Sequence, residues 1–207
     1  MRQVLYQQCL TGSERKIKTV SITAYIYSIP DVAVIVRVFL SYTIQMTKNA
    51  YLAGGCFWGM EELFRSLPGV VHTETGYTGG DNENPTYENH PGHAEALEIE
   101  YDPDTISFKQ LLDFFFRVHN PTTLNQQGND VGESYRSAIF YQDEKEEREA
   151  EAFIDLVNES GRWNDPVVTS LERFKRFWPA EEYHQDYLQK HPGGYTCHAI
   201  QFDSYLD

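Results

Sequence analysis

The sequence predicts an α+β fold: a two-layer α/β sandwich with a ferredoxin-like (split βαβ) core and long functional loops. Three observations carry that reading. From Tyr51 to Tyr141 the segments run strand, helix, strand, strand, helix, strand, the order of the split βαβ motif. Each helix has a single apolar stripe, so both can pack on one face of one sheet. Two long polar stretches interrupt that order, and connections of such length in a small domain are usually functional.

The elements follow in sequence. Tyr51-Leu-Ala reads as a short strand running into Gly54-Gly55. A helix then begins near Cys56, with Met60, Leu63, Phe64 and Leu67 at i, i+3, i+4 and i+7 on one face, and Pro68-Gly69 stops it. Val70 to Gly76 alternates loosely as a second strand, and the Gly, Asn and Pro of residues 79–92 read as loop. Ala96-Leu-Glu-Ile-Glu-Tyr alternates apolar and acidic residues, which predicts a half-buried strand ended by Asp102-Pro103. Ser107 caps a helix whose Phe108, Leu111, Leu112 and Phe115 share a face. A second polar loop spans His119 to Glu133, followed by a strand at Ala138-Ile-Phe-Tyr. Asp143 and Glu146 open an acidic helix through Asn158 in capping-box fashion. Val167-Val-Thr169 is expected as a fifth strand and Pro179 to Gln189 as a last helix with proline in its first turn. His191 to Asp207 is mostly loop.

Residues 1–45 look foreign to the rest. Arg2, Arg15, Lys16, Lys18 and Arg37 outweigh Glu14 and Asp31 there, although the whole chain of 207 residues carries a net charge of −14. The run from Thr19 to Val36 is apolar, but Pro30, Asp31 and several hydroxyls break it. The basic cluster at 15–18 is followed by no Ala-x-Ala-like cleavage site, so a signal or weak anchor is the lesser reading. The favoured expectation is a non-homologous extension, 1–45, with a misassigned start and true initiation at Met46, ahead of a catalytic domain at 46–207. The acidic surface argues against nucleic acid and membrane surfaces as partners. With 41% hydrophobic residues there is ample material for a core. Three cysteines make no disulfide framework and suit a reducing, cytoplasmic setting. A monomer is expected.

Cys56 is the strongest chemical candidate. It sits on a glycine-flanked strand-to-helix turn, where free backbone N–H groups favour a thiolate nucleophile; the bland alternative is a small buried hydrophobe. Phe57-Trp58 follows at once, and two large aromatics at a helix start cannot both face the core. Glu95, at the end of a loop and the start of a strand, is either a surface carboxylate or, if desolvated beside Trp58 and tyrosines, a protonated general acid. Tyr87 and Tyr135 flank the two long loops and could donate hydrogen bonds to a substrate oxygen, although either alone reads as packing. The seven histidines supply no zinc set: His90 and His93 form the one close pair, and Cys197-His198 are too near to share an ion. No metal and no bound cofactor are expected. A Cys56–His93–Asp130 hydrolase or acyl transferase would use the same nucleophile. Cys197, in Gly193-Gly-Tyr-Thr-Cys197, separates the readings, because a hydrolase has no use for it while a thiol oxidised in turnover needs a second thiol.

As a set these residues resemble the type-A peptide methionine sulfoxide reductases. The matching pieces are Gly55-Cys-Phe-Trp-Gly59, Gly76-Tyr-Thr-Gly-Gly80, Asn84-Pro-Thr-Tyr87, Gly92-His-Ala-Glu-Ala96, Gln127-Gly-Asn-Asp130 with Gly132, and Tyr135-Arg-Ser137. The likeness runs from about Ala50 to Cys197. It implies that Cys56 attacks a sulfoxide sulfur and Glu95 protonates its oxygen. By the same resemblance Tyr87 and Tyr135 hydrogen-bond that oxygen, and Phe57 and Trp58 hold the S-methyl group. Asp130 belongs to the polar network around the site. Cys197 resolves the Cys56 sulfenic acid as a disulfide, and thioredoxin, or dithiothreitol in vitro, reduces it. The substrates implied are the S epimer of methionine sulfoxide, free or in oxidised proteins. Three departures stand out. Ser134 replaces the family's common Gln, the Tyr87–Glu95 connection is short, and no cysteine follows Cys197, so thioredoxin would meet the Cys56–Cys197 bond directly. A binding module without turnover would keep Phe57 and Trp58 but has no need of Cys56, Glu95 and Cys197 together. Cys9 is given no role.

Overall fold

A computed structural model of the chain describes residues 6–8, 16–25 and 37–206. Two compact units divide it, Met1–Thr47 and Lys48–Asp207. In the first, β1 (Tyr6–Gln8), β2 (Lys16–Tyr25) and β3 (Arg37–Met46) form an antiparallel sheet in chain order. The anchor reading fell partly on β2 and partly on residues 26–36, which lie outside the described residues, as does Cys9. Among the described residues no helix is long and apolar enough to cross a membrane.

The second unit holds β4 (Lys48–Gly54), α1 (Phe57–Phe64), β5 (Val70–Thr78), β6 (Ala94–Tyr101), α2 (Phe108–Val118), β7 (Gln126–Gln127) and β8 (Asp130–Val131). After a single 3-10 turn at Glu133–Tyr135 come β9 (Ser137–Tyr141), α3 (Glu144–Glu159), β10 (Ser170–Arg173), β11 (Trp178–Pro179) and α4 (Tyr187–Lys190). The main sheet runs β10-β9-β4-β6-β5-β11. Its middle four strands, β9-β4-β6-β5, pair antiparallel with one another, which is the pairing a split βαβ core requires. β10 adds parallel to β9 through the α3 crossover, and β11 closes the other edge against β5.

One sheet face carries the main core. Leu52, Leu97, Ile99 and Ile139 meet Met60 and Phe64 of α1, Leu111, Phe115 and Phe116 of α2, and Phe153 of α3. Ser107 and Gln110 make a reciprocal capping box, and Asp143 caps α3 through the Lys145 and Glu146 N–H groups, so both helices start where expected; the box at Asp143 is not reciprocal, because the Glu146 carboxylate takes the Gln142 N–H instead.

Four local expectations are corrected. β6 is buried on both faces rather than half-buried, because the other sheet face (Tyr51, Ala53, Ala96, Phe140) is covered by Phe174 and Phe177 of the chain leaving β10. The fifth strand is Ser170–Arg173, not 167–169. Val167 and Val168 spend their N–H groups on Asn158 Oδ1 and the Pro121 carbonyl, and pairing with β9 starts only at Ser170. The segment 179–189 is not a helix. Pro179 lies in β11, the Ala180 N–H bonds the Thr75 carbonyl, and Asp186 has φ 55, so only Tyr187–Lys190 is helical. Finally, the 119–133 loop contains the small β7–β8 hairpin.

Candidate active site

β4 delivers the chain to a sharp turn at Gly55, where φ is +105 and an added Cβ would come within 2.5 Å of the Gln127 side chain. Only glycine suits that backbone. The turn sets Cys56 as the N-cap residue of α1, 6% exposed. Two N–H groups at the helix start are taken within the site: Phe57 donates to Glu95 Oε2 at 3.1 Å, and Trp58 donates to the Cys56 sulfur.

The expectation that the helix start makes Cys56 a thiolate is corrected. Burial pushes the Cys56 thiol well up, the Glu95 charge adds to that, and the Trp58 N–H offsets only part of it. At rest Cys56 is a neutral thiol. Glu95 is 2% exposed, and burial pushes its carboxyl up to about 8, against the Phe57 N–H that favours the anion; Asp130 adds to the rise. Near neutral pH it is therefore a carboxylic acid with a proton to give.

Tyr135 donates its phenolic hydrogen to the Tyr87 oxygen, and burial together with the nearby Glu95 holds both phenols above their usual range. The Tyr87 backbone N–H is pinned by Glu181 Oε1 at 2.9 Å. Ser134, the departure noted in the sequence, accepts or donates at 2.8 Å to His90 Nε2, and the His90 ring stacks on Tyr77. Phe57 is buried between Tyr77 and His184 and forms the back of the aromatic group, whereas Trp58 is only half-buried.

On the other side of Cys56, the 196–198 stretch of coil packs on α1. Gly59 has no Cβ, which leaves room for Thr196 and His198 against it. The Cys197 sulfur accepts the Cys56 backbone N–H and its thiol donates to Asp130; burial and that carboxylate push it up to about 12. Asp130 Oδ2 also accepts the Tyr195 hydroxyl at 2.9 Å. Both thiols are free. All eight residues singled out in the sequence (Cys56, Phe57, Trp58, Tyr87, Glu95, Asp130, Tyr135 and Cys197) thus gather around one helix start. His93 instead bonds the Asn82 carbonyl at 3.1 Å and packs on Gly80, a poor arrangement for a hydrolytic base.

Sequence reasoning missed His184 and Tyr187. Trp58 Nε1 donates to His184 Nδ1 at 3.1 Å, and Tyr187 stacks on the Trp58 ring with centroids 3.7 Å apart. Burial holds His184 below its usual range, so its ring is a neutral acceptor here. The signal was present in Glu181-Glu-Tyr-His-Gln-Asp-Tyr187, but reading that stretch as a helix hid the contacts its turns make.

A peptide methionine sulfoxide reductase family model matches residues 48–205. The peptide methionine sulfoxide reductase MsrA of Nocardia farcinica is 59% identical over 152 residues, 73% of this chain and 89% of that protein. That of Leifsonia xyli is 58% identical, over 74% and 90%. Among solved structures, Mxr1 from Saccharomyces cerevisiae in reduced form superposes with a TM-score of 0.71 at 36% identity, over 75% of this chain and 93% of that one. Mxr1 in complex with Trx2 gives 0.53 at 28% identity, over 75% and 91%.

Proposed function

The chain belongs to the peptide methionine sulfoxide reductase family, and we propose that Cys56, Glu95 and Cys197 carry its reaction in two half-reactions. The observation that supports this most is the pairing of two neutral acids, the Cys56 thiol and the Glu95 carboxyl, across the first turn of α1. The methyl-sulfoxide group lies against Trp58 and Phe57, with its oxygen toward Glu95, Tyr87 and Tyr135. Cys56 sulfur attacks the sulfoxide sulfur as Glu95 protonates the oxygen. The phenols stabilise the charge that develops there. The oxygen passes to Cys56, the S–O bond of the substrate breaks, and methionine leaves. The proton given up by the Cys56 thiol restores Glu95, so the half-reaction is proton-neutral. Trp58 is held by both His184 and Tyr187, which keeps the apolar wall rigid while the reacting group is seated.

In the second half-reaction Cys197 attacks the Cys56 sulfenic acid, forming a disulfide and water. Thioredoxin then reduces that disulfide; the relative Mxr1 is known in complex with Trx2. The substrate is the S epimer, free or in oxidised proteins, and the catalytic unit is residues 46–207. Incubation with separated S and R epimers, thioredoxin, its reductase and NADPH tests the reading. Loss of the S epimer alone is expected. Consumption of the R epimer, or of neither, would refute it.

A further inference from the structure

We propose that His198 is the general base of the second half-reaction, taking the thiol proton of Cys197 as that sulfur attacks the oxidised Cys56. The inference rests on the roles proposed above for the two cysteines. It starts from a tautomer. His198 Nε2 lies 2.8 Å from the Gly54 carbonyl oxygen, which can only accept, so Nε2 carries the ring hydrogen. Nδ1 is then left with its lone pair, and it sits 3.5 Å from Cys197 Sγ. A base with an open lone pair within hydrogen-bond reach of the attacking thiol is the arrangement that nucleophile activation needs.

The ring is well held. His198 is buried, its own N–H donates to Thr196 Oγ1 at 3.2 Å, and the missing Cβ at Gly59 makes its seat. The groups facing it are Asp130 from β8, His119 from the end of α2, and the Cys197 thiol beside it. Burial lowers the His198 pKa despite the Gly54 bond and the Asp130 charge, so near neutral pH the ring is uncharged and able to accept. Asp130 accepts the Cys197 hydrogen in the resting site and orients it. Asp130 Oδ2 already takes the Tyr195 hydroxyl, whereas among the described residues His198 Nδ1 has no other hydrogen to accept.

The step balances. The Cys197 S–H bond breaks and its proton passes to Nδ1. The Cys197 sulfur pair forms the S–S bond, and the Cys56 S–O bond breaks with its electrons leaving on hydroxide. The proton on Nδ1 then completes water, and His198 is neutral again.

The test is a single turnover of the reduced full chain with one equivalent of an S-sulfoxide peptide, quenched to follow methionine and the Cys56–Cys197 disulfide separately. His198→Gln keeps an amide N–H for the Gly54 carbonyl and removes the Nδ1 base. Methionine should appear at within about twofold of the wild-type rate, while disulfide forms at least about tenfold more slowly, toward the 10²–10⁴-fold typical of general bases. Cys56 sulfenic acid should accumulate and be trapped by dimedone. Because burial lowers the His198 pKa, the wild-type disulfide rate should hold through neutral pH and fall only on the acid side of the ordinary imidazole range, and that limb should be missing in the variant. An unchanged disulfide rate overturns the proposal, and so does equal slowing of methionine release, the mark of a merely structural role. If the glutamine variant does not fold, His198→Asn is read by the same criteria. Cys197→Ser, run in parallel, separates the two levels: a Cys56 disulfide still forming there removes Cys197 as the resolving thiol. Its absence there, with a wild-type rate in His198→Gln, removes only the histidine.

Discussion

Glu95→Gln isolates the proton from the space it occupies. The amide side chain would keep an oxygen for the Phe57 N–H, now 3.1 Å from Glu95 Oε2, and nearly the same volume in a site only 2% exposed. What it loses is the acid. With the Glu95 carboxyl at about 8, roughly ten molecules hold the proton for each that has lost it at pH 7, and the ratio reverses at pH 9. The sign follows from burial: it disfavours the charged form, so the acid is present below about 8 and is lost as pH rises through that value. A positioned general acid is worth about 10²–10⁴-fold, and a loss of 10²–10³ in the first half-reaction corresponds to about 2.7–4 kcal/mol of transition-state stabilisation. Rapid-quench measurement of the methionine burst from pH 6 to 10 reads both effects. Wild type should fall about tenfold between pH 7 and 9 where thiol ionisation is not limiting. The variant should be slower throughout, without that fall, at little cost in peptide affinity. A burst within threefold of wild type, or a variant that keeps the alkaline limb, would show that Glu95 does not deliver the proton.

Four further outcomes are expected. Cys56→Ser should release no methionine, and Cys197→Ser one methionine per enzyme before stalling with thioredoxin; full cycling in either would reassign that thiol. Gly55→Ala should cost about 2–4 kcal/mol, since φ +105 is strained for any side chain and the new methyl meets Gln127, measured as a lowered denaturation midpoint. Deleting residues 1–45 should leave kcat/KM within about twofold, because every residue assigned to the reaction lies between Gly54 and His198; a large loss would mean that the extension takes part.

Much of the fold was legible because its rules are local. A serine or aspartate before an apolar stripe makes a helix start wherever the chain goes next, and Ser107 and Asp143 do so here. The failures came where tertiary contacts outweighed propensity. Residues 179–189 read as a helix by composition, but the sheet edge of β5 claims the Ala180 N–H, and the Gln185 side chain binds both the N–H and the carbonyl of Thr75. That claim turns Tyr187 onto Trp58, which no periodicity in the segment announces.

By itself, then, the sequence determined the split βαβ order, the helix caps, and the Gly-Cys-Phe-Trp-Gly turn that puts a thiol at a helix start. All are set by neighbours within a few residues. Tertiary structure decided the chemistry of that thiol and its partners. A helix start favours a thiolate, yet burial outweighs it at Cys56, and burial is a property of the whole packed unit. The same holds for His198, whose tautomer is set by a carbonyl 144 residues away, at Gly54. Hydrogen-bond direction and desolvation depend on what long-range packing brings alongside, and that information is spread over the entire chain.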